Sequence, residues 1–304
     1  MIVVGLGEVA KTHLAVLETM SEVAVVGGVD IAVRGDVSFR GETVPIYESV
    51  AAASRELKPT LAVIATPTPT HFSVCNEVVS AFPGVRILSE KPLATNSVDM
   101  RAILDDLRRF PQLKVAYHLQ HAPEVRWGLG IVNARRATIG VPIGARSVFT
   151  DPYEGDFASA TARFGSSWLD SGINALSVFS QFCEISDRRS LRQLGSREWS
   201  IYEARFNCGS AGNEFEGTIV TSWHVTSASK TTTIDYSSGA ALLLDHTAVA
   251  GYLLEDRRVV TLFGTDGAVD RRYSHYLAFY RDYFAGAWVT GRHEDIRLHE
   301  LLLS

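Results

Sequence analysis

The stretch Gly5-Leu6-Gly7-Glu8-Val9-Ala10 decides how this chain is read. It follows the apolar run Ile2-Val3-Val4 and opens an amphipathic segment, so Gly-x-Gly-x-x-Ala stands at a strand-to-helix turn. Gly5 permits the tight turn, and Gly7 lets backbone N–H groups approach a pyrophosphate at a helix N-terminus. Small Ala10 lets the helix sit close to the strand. Glu8 and Val9 complete the loop and count among the expected cofactor contacts. Asp30 ends the next apolar run, twenty residues past Ala10, where a carboxylate can accept hydrogen bonds from ribose hydroxyls. The hexapeptide alone also fits a plain glycine turn; with Asp30 the expectation is a dinucleotide site. Asp30 repels a 2′-phosphate, which favours NAD over NADP. Arg34 keeps NADP open, since its guanidinium could meet such a phosphate or simply be exposed.

Outward from this loop, apolar runs over 2–6, 23–30, 61–65, 85–88 and 113–117 read as buried strands. Helical patterns over 10–20, 73–82 and 98–110 lie between them, the last with Ile103 and Leu107 on one side. Such alternation implies right-handed crossovers and a parallel sheet. After about Tyr117 the rhythm changes: a helix over 123–136, a strand over 145–150, a Gly/Ser/Ala-rich loop over 155–167 and a helix over 169–182. Strands over 202–207, 216–225, 231–236, 240–244 and 259–263 follow at spacings that pair antiparallel, and a helix over 273–288 closes the chain. The expected fold is an α/β domain with a parallel sheet over 1–117, then an α+β domain with an open, mostly antiparallel sheet over 118–304.

A length of 304 residues suits two domains with proper cores. Twenty-nine Lys and Arg against thirty-four Asp and Glu leave a net charge of −5 without a basic block, which argues against nucleic acid or an anionic membrane as partner. Cys75, Cys183 and Cys208 are widely separated and read as reduced thiols. The start of the chain shows no basic leader, and no run of about eighteen apolar residues occurs. A cytoplasmic location is expected. Nine histidines show no His-x-x-x-His and no spacing to cysteine that suits a metal, so none is expected.

Two further segments follow strands: Ala65-Thr66-Pro67-Thr68-Pro69-Thr70-His71 and Ser89-Glu90-Lys91-Pro92. Both belong to the sheet edge at which open α/β folds bind ligands. Taken alone, Lys91 also fits a surface lysine. With the glycine loop, in this order and spacing, these segments resemble the glucose–fructose oxidoreductase, inositol dehydrogenase and rhizopine-catabolism (Gfo/Idh/MocA) family over essentially the whole chain. That resemblance implies an N-terminal Rossmann domain and a C-terminal α+β domain. It places Thr66, Pro67 and His71 near the cofactor, has Glu90 and Pro92 hold a turn, and brings Lys91 to substrate and nicotinamide.

The family's second signature, Asp-x-x-x-His, is matched by Asp170 and Asn174, with Asn in place of His. At i and i+4 on a helix both residues share a face, although Asp170 also suits a plain helix-start carboxylate. An amide does not titrate, so Asn174 can orient a hydroxyl but cannot take its proton, which leaves Lys91 or Asp170. The wording around Asp170 is similar to galactose and arabinose 1-dehydrogenases. It implies oxidation of the anomeric C1 hydroxyl of an aldose to a lactone, the hydroxyl there being more acidic than an ordinary alcohol. His118 is a candidate sugar contact or a ligand of a loop carbonyl, Trp223 a stacking platform or a buried strand residue, and Asp151 a hydroxyl acceptor. Rival readings are a dehydrogenase of a secondary alcohol in a cyclitol or amino sugar, and a sugar or dinucleotide sensor of the galactose-repressor kind. The family also implies a homodimer or homotetramer.

Overall fold

The computed structural model describes all residues except 106–111, 154, 196–199, 211, 266 and 288–291, and leaves the side chains of 104, 105, 287 and 292–294 undescribed. The expectations at Leu107, Phe110 and Trp288 lie outside the described residues. The chain divides into two units, Met1–Ala116 with Tyr280–Leu303, and Tyr117–Phe279 with Ser304.

In the first unit, β1 (Ile2–Val4), β2 (Gly27–Val29), β5 (Leu61–Ile64), β6 (Arg86–Ser89) and β7 (Leu113–Val115) run parallel. β1 and β5 are buried along their whole length, as strands covered on both faces must be. Between the strands lie α1 (Glu8–Leu17), α2 (Val50–Ala53), α3 (His71–Ala81) and α4 (Ser97–Asp105). The sheet gains a hairpin that periodicity missed, β3 (Asp36–Phe39) and β4 (Glu42–Tyr47), turned by Arg40 and Gly41 with φ of 53° and 77°. The paired positive φ values suit a tight hairpin turn, but Pro45 and an exposed face hide the alternation. The sheet order β3-β4-β2-β1-β5-β6-β7 turns direction at β1, which puts the loops after β1, β2, β5 and β6 along one carboxyl edge.

The C-terminal segment was expected within a 118–304 domain. Tyr280–Leu303 instead pack in the first unit, where α9 (Arg292–Leu303), missed by the sequence reading, covers β7. Asp295 receives hydrogen bonds from Lys114 Nζ at 3.0 Å and the Val115 N–H at 3.2 Å, and His299 Nε2 receives the Leu93 N–H at 2.6 Å. These buried partners satisfy polar groups beside an edge strand.

The second unit holds an eight-stranded sheet in the order β15-β14-β13-β12-β8-β11-β10-β9. Its strands are β8 (Pro142–Thr150), β9 (Glu184–Leu194), β10 (Ile201–Ser210), β11 (Asn213–Ser222), β12 (Ser229–Tyr236), β13 (Ala241–Asp245), β14 (Ala250–Glu255) and β15 (Arg258–Phe263). Every pairing is antiparallel except β8 with β11. Two helices, α5 (Pro123–Ile139) and α7 (Ile173–Phe179), pack on this sheet. α8 (Arg271–Asp282) carries the chain from the second unit to the first. The expected loop over 155–167 contains a helix, α6 (Phe157–Phe164); its Ala and Ser residues mark low side-chain bulk, which helices accept as readily as loops. The single helix expected over 169–182 is a π-helical turn, Trp168–Gly172, running into α7. Here Gly172 is required, because a Cβ would stand 2.5 Å from the Trp168 ring.

Candidate active site

In the first unit Gly5 donates to Val29 O at 2.8 Å and has φ of +87°. A Cβ there would come within 2.7 Å of the Ala65 carbonyl and the Thr66 nitrogen, so the glycine permits two adjacent loops to touch. Gly7 differs: a Cβ on it meets nothing within 4 Å, and no side chain caps the start of α1. The space beside Gly7 at the start of α1 thus suits a phosphate. Glu8 is 76% exposed and paired with Lys11 at 2.8 Å, Val9 is half-buried and Ala10 fully buried.

Asp30 builds the rim of this loop. Its Oδ2 accepts the Leu6 N–H at 2.8 Å, and Oδ1 accepts those of Ala32 at 2.7 Å and Val33 at 2.9 Å. Burial pulls its pKa upward, but the Leu6, Val33 and Ala32 donors and the Arg34 charge outweigh it and hold it below the ordinary carboxylate value. A carboxylate has about four acceptor positions, so this anion can still accept a ribose hydroxyl. The Arg34 guanidinium donates to the Asp30 and Val33 carbonyls at 3.2 and 3.1 Å.

His71, expected at the cofactor, has a different part. Its ring is buried, with Nδ1 2.7 Å from Pro92 O and Nε2 2.8 Å from Thr66 O. It ties the Thr66-Pro67 turn to the Lys91-Pro92 turn, whose peptide bond is cis, and both ring nitrogens face carbonyls rather than a ligand. Burial lowers its pKa against the pull of those carbonyls and of Glu90. Glu90 is also buried, 2.9 Å from His13 Nε2, while His13 Nδ1 lies 2.7 Å from the Tyr280 hydroxyl. The Lys91 N–H donates to Glu90 Oε2 at 3.3 Å, and Lys91 itself is half-buried. No pattern in the sequence points to His13 or Tyr280.

In the second unit Asp151, directly after β8, is buried: Lys230 Nζ lies 2.9 Å from Oδ1, and Ser171 Oγ donates to Oδ2 at 2.8 Å. Asp170, in the π-helical turn, and Asp151 both act on Tyr153, whose hydroxyl is driven well above its ordinary pKa by burial and then by these charges. Asn174 sits one turn on, its Nδ2 3.5 Å from Asp170 O, and its Oδ1 is buried without a hydrogen-bond partner among the described residues. Trp223, expected as a sugar platform, is fully buried with its ring against Tyr153 and Phe164. It leaves no face for stacking; it lies in the bend just past the end of β11, where three successive residues are buried. His118 stacks on Tyr276 at 4.4 Å and lies 6.0 Å from the ring of His275.

Behind this region runs a network that sequence reasoning missed. Glu124 is fully buried, 2.8 Å from His246 Nδ1 and 3.4 Å from His275 Nε2, and His246 Nε2 reaches Thr232 Oγ1 at 3.0 Å. Burial raises the Glu124 pKa, but the two histidines outweigh it and hold it at about 2. A Pro-Glu helix start is the only local sign of this residue, and it does not separate a buried acid from an exposed one.

Among the described residues no group of three or more His, Cys, Asp or Glu could hold a metal ion, and no helix is long and apolar enough to cross a membrane. Cys75, Cys183 and Cys208 are free and buried.

Residues 1–117 match the sequence model of an oxidoreductase family with an NAD-binding Rossmann fold. No curated protein matches the chain. Solved structures share the fold over 99% of this chain. A myo-inositol dehydrogenase from Corynebacterium glutamicum is 18% identical with a TM-score of 0.74 and is covered over 93% of its length. UDP-N-acetylglucosamine 3-dehydrogenase from Acidithiobacillus ferrooxidans is 18% identical with a TM-score of 0.71 and is covered over 94%. An oxidoreductase from Agrobacterium radiobacter, solved with NAD+, L-tartaric acid and magnesium, is 11% identical with a TM-score of 0.76 and is covered over 93%.

Proposed function

From the premise that residues 1–117 are an NAD-binding Rossmann domain of the Gfo/Idh/MocA oxidoreductases, we propose that the protein is an NAD-dependent dehydrogenase. Its substrate in this reading is an aldose of the galactose or arabinose type, oxidised at the anomeric C1 hydroxyl to a lactone. The observation that carries this is Asn174: a buried amide oxygen without a partner among the described residues, one turn from Asp170, accepts a donor hydroxyl and cannot take its proton.

The open Gly7 position, the uncapped start of α1 and the Asp30 carboxylate fit the pyrophosphate and ribose of NAD. Bound NAD supplies the acceptor for hydride. Thr66 and Pro67 shape the loop beside Gly5, and Glu90 with His71 and Pro92 fixes the turn that presents Lys91. In this proposal Lys91 and Asp170 divide the work on the hydroxyl proton, Asn174 orients the sugar, and His118 is a further sugar contact. The Asp151 carboxylate acts through Lys230 and Ser171.

Nicotinamide absorbance, followed with NAD against a panel of D- and L-aldoses, tests the reading. Turnover with an aldose is expected, and Lys91→Ala is expected to reduce it by orders of magnitude while NADH still binds. Reduction only with cyclitols or amino sugars would favour the second reading, a secondary-alcohol dehydrogenase, which the names of two fold neighbours suggest. Cofactor binding without any turnover would favour a sensor. The proposal includes a homodimer or homotetramer, supported by exposed Val259, Val260 and Leu262 on β15 and tested by sedimentation.

A further inference from the structure

Glu90 sets its two carboxylate oxygens against two different parts of the first unit. Oε2 accepts the Lys91 N–H at 3.3 Å, and Oε1 lies 2.9 Å from His13 Nε2 on α1. A carboxylate only accepts, so Nε2 carries the hydrogen of that contact. On the far side of the ring, Nδ1 lies 2.7 Å from the Tyr280 hydroxyl. Burial, and after it the Glu90 charge, drives the Tyr280 pKa well up, so the phenol keeps its proton and donates it to Nδ1 of a neutral ring. Hydrogen bonds thus run in one direction, from Tyr280 through His13 to Glu90, and the bond at one ring nitrogen fixes the hydrogen on the other. His13, Glu90 and Tyr280 are all buried, which shelters these bonds from bulk water and strengthens them.

We propose that His13, oriented by Tyr280, is a positioning residue for Lys91: it holds the Glu90 carboxylate in the arrangement that grips the Lys91 N–H. The inference rests on the part given to Lys91 in the dehydrogenase reading. His13 stands six residues past Gly7 on α1, so the same contact ties the lysine to the helix whose open start suits the cofactor phosphates. His71 holds the far end of the turn through the Pro92 carbonyl at 2.7 Å, while Glu90 holds its Lys91 end. Without the imidazole, Oε1 loses its donor inside the fold, and the carboxylate turns away or takes up a proton. Either change loosens its grip on the Lys91 N–H. A displacement of about 1 Å at the reacting centre costs on the order of 100-fold in rate, so a residue buried behind the turn can set turnover.

Acylation of lysines by an N-hydroxysuccinimide acetate ester, read peptide by peptide in a mass spectrometer with and without NADH, tests where Lys91 stands without requiring a substrate. In the parent protein NADH is expected to slow acylation of Lys91 but not of exposed Lys58. His13→Leu is expected to lose that protection while still binding NADH, and His13→Gln, whose amide can donate to Glu90, to recover part of it. Tyr280→Phe removes only the hydroxyl and is expected to weaken the protection; it decides the matter if His13→Leu fails to fold. With an aldose that the parent oxidises, His13→Leu is expected to lower kcat by roughly 10- to 100-fold with KM largely kept. Protection of Lys91 that is equal in the parent, His13→Leu and Tyr280→Phe overturns the proposal and leaves the dehydrogenase reading intact. A parent Lys91 acylated equally fast with and without bound NADH removes it from the nicotinamide, and the proposal falls together with the use of Lys91 in that reading.

Discussion

His13 and Glu90, 77 residues apart in sequence, share a buried contact of 2.9 Å, and Tyr280 holds the other nitrogen of the same ring at 2.7 Å. One imidazole therefore joins α1, the turn that carries Lys91, and the chain's return through α8. A carboxylate buried beside a ring costs desolvation that the contact offsets. His13→Ala is expected to destabilise the fold by on the order of 2–4 kcal/mol and Tyr280→Phe by about 1 kcal/mol, measured by urea denaturation. A His13→Ala protein as stable as the parent would show that Glu90 is held by other groups.

Gly5 and Gly7 separate two roles that the motif merges. Gly5→Ala puts a methyl 2.7 Å from the Ala65 carbonyl at φ of +87° and is expected to lower stability by at least about 2 kcal/mol. Gly7→Ala meets no protein atom, so its melting temperature should stay near that of the parent while NADH binding weakens. Fluorescence titration with NADH beside thermal melts checks both, and a Gly7→Ala protein with parental affinity would mean the cofactor backbone does not pass there.

Asp30 both shapes the loop and sets the charge at the ribose. Its replacement by Ser keeps a hydrogen-bond acceptor and removes the anion, so affinity for NADPH relative to NADH is expected to rise roughly 10-fold. Parallel titrations with the two cofactors give the ratio, and an unchanged ratio would place the 2′ position elsewhere.

Glu124 makes stability depend on acid. Its folded pKa of about 2 lies below the ordinary 4.5, so the folded state favours the ionised form. The gain is complete above pH 4.5 and is lost as pH falls through about 2. On the order of 3 kcal/mol is at stake. Glu124→Gln is expected to be less stable at neutral pH and to flatten this acid limb, followed by denaturation at successive pH values. A variant that keeps the parental slope would move the effect to other carboxylates.

Much of the first unit was legible because its signals are local. β1, β5 and β6 are short apolar runs buried over at least most of their length, and the Gly5 and Gly7 turn is marked by residue type directly after β1 and before α1. The hairpin β3–β4 was not legible, since Pro45 and exposed positions break its period. Neither was the return of α9 to cover β7, because Asp295 meets Lys114 across 181 positions.

The candidate site divides in the same way. Asp170 and Asn174 share a turn, so spacing alone puts them on one face, and the Glu90-Lys91-Pro92 turn is marked by its place after a strand. Lys230 reads as one lysine in a Thr-rich strand until Asp151 is seen beside it, and Trp223 reads as a stacking surface until Tyr153 and Phe164 close over it. The sequence by itself determined the nucleotide loop and the alternation that builds the parallel sheet, for these follow from φ preference and period. Only the tertiary structure decided which charged side chains are buried and which groups hold them, because burial and pairing depend on residues brought together from far along the chain.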